Sequence, residues 1–264
     1  MAITLYEDGD HRCLLFSDLV DDADDEAVQA NQFLLMSGGE GALIDPAGNM
    51  TYNGLIMAMA QYFPARDLKY ILASHADPDI VASLNKWLVT TRCTLLVSKL
   101  WARFVPHFCS AGNTAGRIVG LPDEGLRFSL GLTTLVALPA HFLHAEGNFH
   151  FLDTRARILF SGDMGASMVP HQAVETPVVG RAALRDHLRT MEAFHRRYMV
   201  SNKACRLWAA MVRPLVERGE IEQMVPQHGR RFVGREAILA FLDWIAVLEC
   251  GIDRFEAENY RVPA

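Results

Sequence analysis

A group of possible metal ligands directly follows an apolar segment in the first third of the chain, and this feature constrains the fold most. Residues 70–73 are apolar and strand-like, and His75, Asp77 and Asp79 follow them at alternate positions. Pro78 has a fixed φ angle, so it stiffens the turn that carries these side chains. Metal ligation requires lone pairs that converge from several elements. We therefore expect a sheet whose strands bring further ligands to the same edge.

Three more candidate ligands close apolar segments farther along the chain, namely His144, Asp163 and His228. The segments that precede them are residues 132–138, 157–160 and 223–225. Side chains at the ends of neighbouring strands converge most easily, because the sheet holds the loops that carry them. A single histidine or aspartate is more often structural than a ligand. The whole set, in this order and after these segments, predicts a metal site.

The composition is that of an ordinary globular protein. The 264-residue chain is long enough to bury a sizeable core, and we interpret residues 1–264 as a single domain. A net charge of −6 without any basic run argues against nucleic acid as a partner. No apolar run approaches the roughly 18 residues that span a membrane, so no membrane partner is expected. The acidic run at residues 21–26 favours a solvated loop.

The cysteines and the start of the chain indicate the compartment. The five cysteines are odd in number and contain no CxxC pair. This pattern favours reduced thiols over a disulfide framework or a thiolate zinc site. The first residues also lack the basic and apolar regions of a secretory signal. Both observations predict a cytoplasmic protein.

Strand-like and helix-like segments alternate along the chain, which predicts the α/β class with sheets covered by helices. The predicted strands are residues 31–36, 41–45, 70–73, 94–98, 132–138, 149–152, 157–160 and 223–225. The predicted helices are residues 54–63, 81–90, 181–198, 202–218 and 235–250. The last helix is apolar around most of its circumference, so it either packs on its own chain or forms a subunit interface. Because such a helix is unsuited to solvent, we predict a homodimer.

Several motifs make the chain similar to the metallo-β-lactamase superfamily, and in particular to its flavodiiron branch. That branch carries His-x-Glu-x-Asp-His before a helix, where this chain has His75, Asp77, Asp79 and then Ile80. Its two opening strands, an Ile-Leu-Phe-Ser-x-Asp segment and a closing Pro-Ser-His-Gly correspond to residues 31–35, 43–45, 158–163 and 226–229. The resemblance covers nearly the whole chain. It implies an αββα sandwich, with two mixed sheets flanked by helices.

The same resemblance implies that the candidate ligands hold a pair of iron ions. The first iron would take His75, Asp77 and His144, the second would take Asp79 and His228, and Asp163 would bridge both. Hydrolases of the superfamily usually have a histidine where Asp77 stands. A carboxylate there makes a harder site, which suits iron better than zinc. Manganese and zinc are the alternatives.

Two positions depart from the motif of the family. Asp77 is one methylene shorter than the family's glutamate, and Ile80 replaces a histidine ligand. Isoleucine cannot coordinate a metal, so the second iron would keep a position open to water, O₂ or a replacement ligand. His141 and His150 lie near His144 in the sequence. Either could be that replacement, or each could serve as a core histidine or as a hydrogen-bond partner of a ligand.

The resemblance also guides the functional prediction. Flavodiiron proteins continue into a flavin-binding domain, whereas this chain ends soon after His228, so no bound flavin is expected. We predict a non-haem diiron protein that binds O₂ or another small diatomic ligand, with a signalling partner or an external flavoprotein. It would sense the gas, or reduce O₂ or NO with electrons from outside. The alternative is a metallohydrolase in which Asp79 acts catalytically on a metal-activated water. A third hypothesis is that the chain is a degenerate member of the family that is retained for protein–protein contacts.

Overall fold

The computed structural model describes residues 2–20 and 29–263 of the chain. The acidic run at residues 21–26 lies outside the described residues. Within the described part, strands and helices form four layers, with two seven-stranded sheets in the middle. Among these residues, no helix combines the length and the apolar character needed to cross a membrane.

The strands of the first sheet follow the order of the chain from β1 to β7. They are β1 (Ile3–Asp8), β2 (His11–Phe16), β3 (Gln32–Ser37), β4 (Glu40–Ile44), β5 (Leu68–Leu72), β6 (Thr94–Ser98) and β7 (Ile118–Leu121). Neighbours pair antiparallel from β1 to β4 and parallel from β4 to β7. Parallel strands end on the same side of a sheet, so the loops after β4 and β5 open on one edge.

The second sheet has the strand order β12-β14-β13-β11-β10-β9-β8. Its strands are β8 (Leu126–Leu130), β9 (Thr133–Pro139), β10 (Phe149–Asp153), β11 (Ile158–Phe160), β12 (Val178–Val179), β13 (Gln223–Val225) and β14 (Phe232–Val233). The strands β11 and β13 are parallel neighbours, so the loops that follow them leave the same edge. The main-chain N–H of Phe149 donates to the carbonyl of Ser74, which joins this edge to the end of β5.

Helices cover the outer face of each sheet. The first sheet carries α1 (Tyr52–Met59), α2 (Pro78–Val81), α3 (Leu84–Thr90) and α4 (Lys99–Ala102), and the second carries α5 (Gly180–His187), α6 (Glu192–Tyr198), α7 (Asn202–Glu217) and α8 (Arg235–Ile245). In β3, Phe33 and Leu35 face the other sheet, whereas Leu34 faces the helices. Strands covered on both faces are apolar throughout. The αββα sandwich with two mixed sheets is confirmed.

The strands predicted from the sequence are all present, and the predicted strand at residues 94–98 coincides with β6. The sequence reading missed β1, β2, β7, β8, β12 and β14. The outermost strand β1 is half-exposed along its length, so it lacks a continuous apolar run. The strands β12 and β14 have two residues each, which is too short for any periodic pattern.

Two helices that the sequence predicts as continuous are interrupted. Residues 81–90 divide into α2 and α3 at Ser83, whose Oγ donates to the carbonyl of Ala47 at 2.6 Å. Residues 181–198 divide into α5 and α6, and in the break Thr190 Oγ1 donates to the carbonyl of His187 at 2.7 Å. Serine and threonine side chains compete in this way with the hydrogen bonds of a helix backbone.

The last helix, α8, packs on its own chain. Ile238, Phe241 and Ile245 are fully buried in the layer between the second sheet and its helices. The helix ends at Ile245, earlier than the predicted residue 250, and the Asn202 amide donates to the carbonyl of Leu248 at 2.9 Å just beyond it. This packing removes the apolar-helix argument for a homodimer. The homodimer itself stays a prediction.

A buried polar cluster joins the two sheets at the edge opposite to the loops that follow β5 and β11. His11 on β2 and Asp153 at the end of β10 are both fully buried, with His11 Nε2 2.7 Å from Asp153 Oδ2. Asp153 also accepts hydrogen bonds from the Thr133 hydroxyl at 2.8 Å and the Cys13 thiol at 3.4 Å. Both carboxylate oxygens of Asp153 therefore have donors, whereas His11 Nδ1 is buried and has no hydrogen-bond partner among the described residues.

Candidate metal centre

All the ligand candidates lie at one edge of the sandwich. His75 follows β5, Asp77 directly precedes α2, and Asp79 is the second residue of that helix. Asp163 follows β11, and His228 follows its parallel neighbour β13. His144 lies in the connection from β9 to β10. The sheets therefore deliver side chains from both halves of the chain to one place.

Four of these residues form one tight group. The ligand atoms of His75, Asp77, His144 and Asp163 all lie within 4.8 Å of one another. His144 Nε2 is 2.8 Å from Asp163 Oδ2 and 3.5 Å from Asp77 Oδ2. His75 Nε2 is 3.7 Å from the same oxygen of Asp77 and 3.9 Å from Asp163 Oδ2. Two imidazoles and two carboxylates thus point at a common centre.

The remaining two candidates form a second group beside the first. His228 Nε2 lies 3.4 Å from Asp79 Oδ2 and 3.5 Å from Asp163 Oδ1. Asp163 thus directs one carboxylate oxygen to His144 and the other to His228. A carboxylate that faces two sets of ligands is placed to bridge two cations.

Hydrogen bonds behind the histidines fix the direction of their rings. His228 Nδ1 donates to the carbonyl of Gln29 at 2.8 Å, which leaves Nε2 free to face the centre. His75 Nδ1 lies 2.9 Å from Ser74 Oγ, and the N–H of Ser74 donates to Asp45 Oδ1 at 2.8 Å. Such partners set the tautomer of metal-binding histidines. The sequence reading did not assign these roles to Gln29, Ser74 or Asp45.

The charges at the centre compensate one another. Burial opposes ionisation of Asp163, but the facing His228 and the hydrogen bond from His144 outweigh it and hold the pKa of Asp163 well below its ordinary value. Burial lowers the pKa of His228, yet the negative charges of Asp163 and Asp79 prevail and raise this pKa to about 9. A proton and a metal ion compete for the same imidazole lone pair. The carboxylates of Asp163 and Asp79, which favour the protonated form of His228, would also favour a bound metal cation.

A cavity of about 790 Å³ opens over the centre. Asp77, Asp79, His144, Asp163 and His228 form its floor. The rest of the wall is largely apolar, and it includes Val20, Ala30, Met50, Met168, Phe194 and Tyr198. A small apolar molecule would therefore meet few competing polar groups on its way to the ligands.

The structure does not bring the other two histidines into the groups described above. His141 Nε2 lies 2.8 Å from the carbonyl of Asp123. His150 Nδ1 accepts the indole N–H of Trp208 at 3.0 Å on the helix side of the second sheet. The Ile80 side chain is fully buried in the layer between the first sheet and its helices. In this arrangement neither histidine takes the place that Ile80 leaves without a ligand.

One helix beside the centre was not predicted from the sequence to contribute to it. The rings of Phe194 and Tyr198 on α6 stack at 4.7 Å, and the Tyr198 ring lies 5.8 Å from the ring of His144. Their spacing of four residues puts both on one face of the helix. In the sequence this spacing reads as an ordinary apolar helix face, so it gave no signal of a site.

Comparisons with known proteins agree with this geometry. The sequence matches the model of the ODP family of beta-lactamase proteins over residues 28–229. The structure is similar to the apo state of chemotaxis sensor ODP from T. denticola, with a TM-score of 0.83, 33% sequence identity and coverage of 98% of both chains. A structure described as the peroxy diiron species of chemotaxis sensor ODP matches with a TM-score of 0.81, at the same identity and coverage.

More distant relatives share the fold or part of the sequence. A flavo di-iron protein from Thermotoga maritima matches with a TM-score of 0.74 and 18% identity, over 93% of this chain and 60% of that chain. An uncharacterized protein from Methanocaldococcus jannaschii is 24% identical over 129 residues, which are 49% of this chain. The match spans only 32% of that relative. The resemblance to beta-lactamase-fold diiron proteins that the motifs indicate is confirmed.

Proposed function

The chain belongs to the ODP family of beta-lactamase proteins, and from that premise we propose that it is a non-haem diiron protein that binds O₂. The similar chemotaxis sensor ODP is known in a peroxy diiron form. In this chain, ligand groups of the same chemical class converge at one edge of the same fold. The proposal rests on the residues at this edge, because a fold by itself does not determine a function.

The observation that carries the proposal is the double orientation of Asp163. Its Oδ2 faces His144 and its Oδ1 faces His228, so it separates two sets of ligands. The first iron would be held by His75, Asp77 and His144, the second by Asp79 and His228, and Asp163 would bridge them. This is the assignment that the family resemblance implies.

The residues fit a pair of cations on their own chemistry. Asp163 Oδ1 is buried and has no hydrogen-bond partner among the described residues. A buried oxygen without a partner is costly, and a bound cation would remove that cost. Carboxylates at Asp77, Asp79 and Asp163 make a hard, anionic site, which suits iron or manganese better than zinc. Asp77 in place of a hydrolase histidine also disfavours the metallohydrolase alternative and the catalytic role that it gives to Asp79.

A bound pair of iron ions would supply the redox chemistry that O₂ uptake requires. The protein residues would hold and orient the ions, with His75 fully buried and the other five ligand candidates lining the cavity. The apolar wall favours entry of O₂, which is itself apolar, over charged solutes. Turnover to water needs further electrons, so we propose an external flavoprotein as donor, or a signalling partner if binding alone is the output.

The test is the absorption spectrum of anaerobically reduced, iron-loaded protein before and after mixing with O₂. We expect a new visible absorption band that appears within the mixing time and decays slowly, because two ferrous ions would hold two electrons and the reduction of O₂ to water takes four. Metal analysis of the same sample should find iron in preference to zinc after growth in iron-rich medium. Protein loaded with zinc is the matched control, and it should show no band.

Two results would contradict the proposal. The first is a reduced, iron-loaded protein whose spectrum does not respond to O₂. The second is sustained O₂ consumption from NADH without any added flavoprotein, since this would mean that the protein has its own electron supply. Full occupancy by zinc, with iron never incorporated, would favour the metallohydrolase alternative.

The oligomeric state and the compartment are also proposals. We retain the homodimer as a proposal, although the buried face of α8 packs on its own chain. Light scattering at micromolar concentration should give twice the chain mass of 29.4 kDa, and a monomer mass would rule the dimer out. All five cysteines are free thiols, which agrees with the proposed cytoplasmic location.

A further inference from the structure

Helix α6 lies against His144 and against the loop that carries Asp163, which are two of the three ligand positions at the second sheet. Its Phe194 and Tyr198 rings lie 6.3 and 5.8 Å from the ring of His144. Its His195 reaches the loop that carries Asp163, where it accepts the main-chain N–H of Gly165 at 3.0 Å. One short helix thus lies against one ligand candidate and against the loop of another.

The hydrogen bonds of His195 define its chemical state. Nδ1 lies 2.9 Å from the carbonyl of Met191, and a carbonyl can only accept, so Nδ1 carries the hydrogen. Nε2 is then an acceptor, which is what the N–H of Gly165 requires. The imidazole is fully buried, and burial lowers its pKa to about 4, in keeping with a neutral ring. Both ring nitrogens are therefore used.

The loop that His195 contacts is tightly packed around Asp163. Gly165 has φ +96°, and a Cβ there would lie 2.8 Å from the Phe232 ring and 2.9 Å from Met224 Cε. The Ser161 hydroxyl donates to the carbonyl of Met164 at 2.7 Å, which closes the turn before it. Since Gly165 follows Asp163 by only two positions, an anchor on its N–H also limits where the carboxylate can point.

We propose that His195 is a positioning residue for the iron pair, which holds the Asp163 loop through the Gly165 N–H and fixes α6 against His144. This inference rests on the proposed function. His195 itself touches neither ligand atom, and its buried acceptor nitrogen acts through the backbone. Loss of that acceptor leaves the Gly165 N–H buried and unpaired, so the loop should shift and the bridging carboxylate with it.

The test compares two substitutions of one residue. His195→Phe keeps the ring volume but has no acceptor, and we expect it to weaken Fe²⁺ binding by about tenfold or more, as losses of partners behind metal ligands do. His195→Gln keeps a carbonyl oxygen for Gly165 and an N–H₂ for Met191, and we expect it to restore most of the affinity. The control is His187→Phe, because His187 is also buried but pairs with Thr190. If His195→Phe fails to fold, His195→Leu, which also lacks an acceptor, replaces it.

A second readout does not depend on the metal. Amide hydrogen exchange at Gly165 in metal-free protein should speed up in His195→Phe and stay slow in His195→Gln. Unchanged exchange at Gly165, or Fe²⁺ affinity of His195→Phe equal to that of His187→Phe, would overturn the inference. Wild-type protein that binds no iron would instead overturn the proposed function, and the exchange rates would still decide whether His195 anchors the loop.

Discussion

Replacing Asp153 by asparagine is expected to lower the free energy of unfolding by about 3 kcal/mol, because it leaves one half of a buried pair without its partner. Asp153 and His11 are fully buried, and their 2.7 Å contact joins the two sheets. The amide of asparagine cannot accept from His11 and Thr133 as a carboxylate does. Urea unfolding of metal-free wild-type and variant protein measures the difference, and metal-free samples keep the distant iron site out of the comparison.

The contribution of Asp153 to the free energy of unfolding is expected to decrease at low pH. Burial opposes the ionisation of Asp153, but the hydrogen bond from His11 and its charge outweigh it and hold the pKa of Asp153 below its ordinary value. A lowered folded-state pKa stabilises the protein above the unfolded pKa of about 3.9, and this stability is lost as the pH falls through the folded value. The stability difference between wild type and Asp153→Asn should therefore shrink below about pH 4.

Asp8 provides a matched control at the same edge. Its carboxylate lies 3.2 Å from Arg155, but the Asp8 side chain is largely exposed to solvent and Arg155 is partly exposed. Exposed ion pairs contribute little, so Asp8→Asn should unfold like the wild type. Equal, small effects of Asp8→Asn and Asp153→Asn would show that the buried cluster does not hold the sheets together.

The elements that the sequence predicted are those with a local signature. The strand Thr94–Ser98 has three central apolar residues, 95–97, that are buried on both faces, and such a run is visible without knowledge of its neighbours. The half-exposed strand β1 has no such run, and only its pairing with β2 makes it a strand. The break at Ser83 depends on the carbonyls of Pro46 and Ala47, which are distant in the sequence. Long-range hydrogen bonds of this kind leave no periodic pattern.

At the metal centre too, residues with a local sequence pattern were predicted, whereas residues that act through long-range contacts were not. His75, Asp77 and Asp79 could be selected because they are metal-ligating residue types clustered after one strand. The residues that orient the ligand histidines were not predicted; Gln29, for example, holds His228 through a backbone carbonyl, which every residue type possesses. His195 was not predicted either, because a histidine on a helix face is usually part of the core. Its partner, the N–H of Gly165, becomes apparent only in three dimensions.

Replacing Asp163 by asparagine is expected to abolish binding of the iron pair, with the affinity for Fe²⁺ lowered by at least about 100-fold. Asparagine keeps the size of the side chain but loses its charge and one of its two acceptor oxygens, so it cannot face both sets of ligands. The carboxylate that it replaces lies between His144 and His228, at 2.8 and 3.5 Å. Metal analysis after anaerobic loading and gel filtration, together with the loss of the O₂-dependent absorption band, measures the effect.

Asp186→Asn is the control for this substitution, because Asp186 is an exposed aspartate on α5, away from the ligand loops. It should keep the iron content and the absorption band of the wild type. The metal-free forms of both variants should retain the circular dichroism of the wild type, which separates the loss of a ligand from the loss of the fold. An Asp163→Asn protein that still carries a full pair of iron ions would show that Asp163 does not bridge them. The assignment of the two ligand sets would then be wrong.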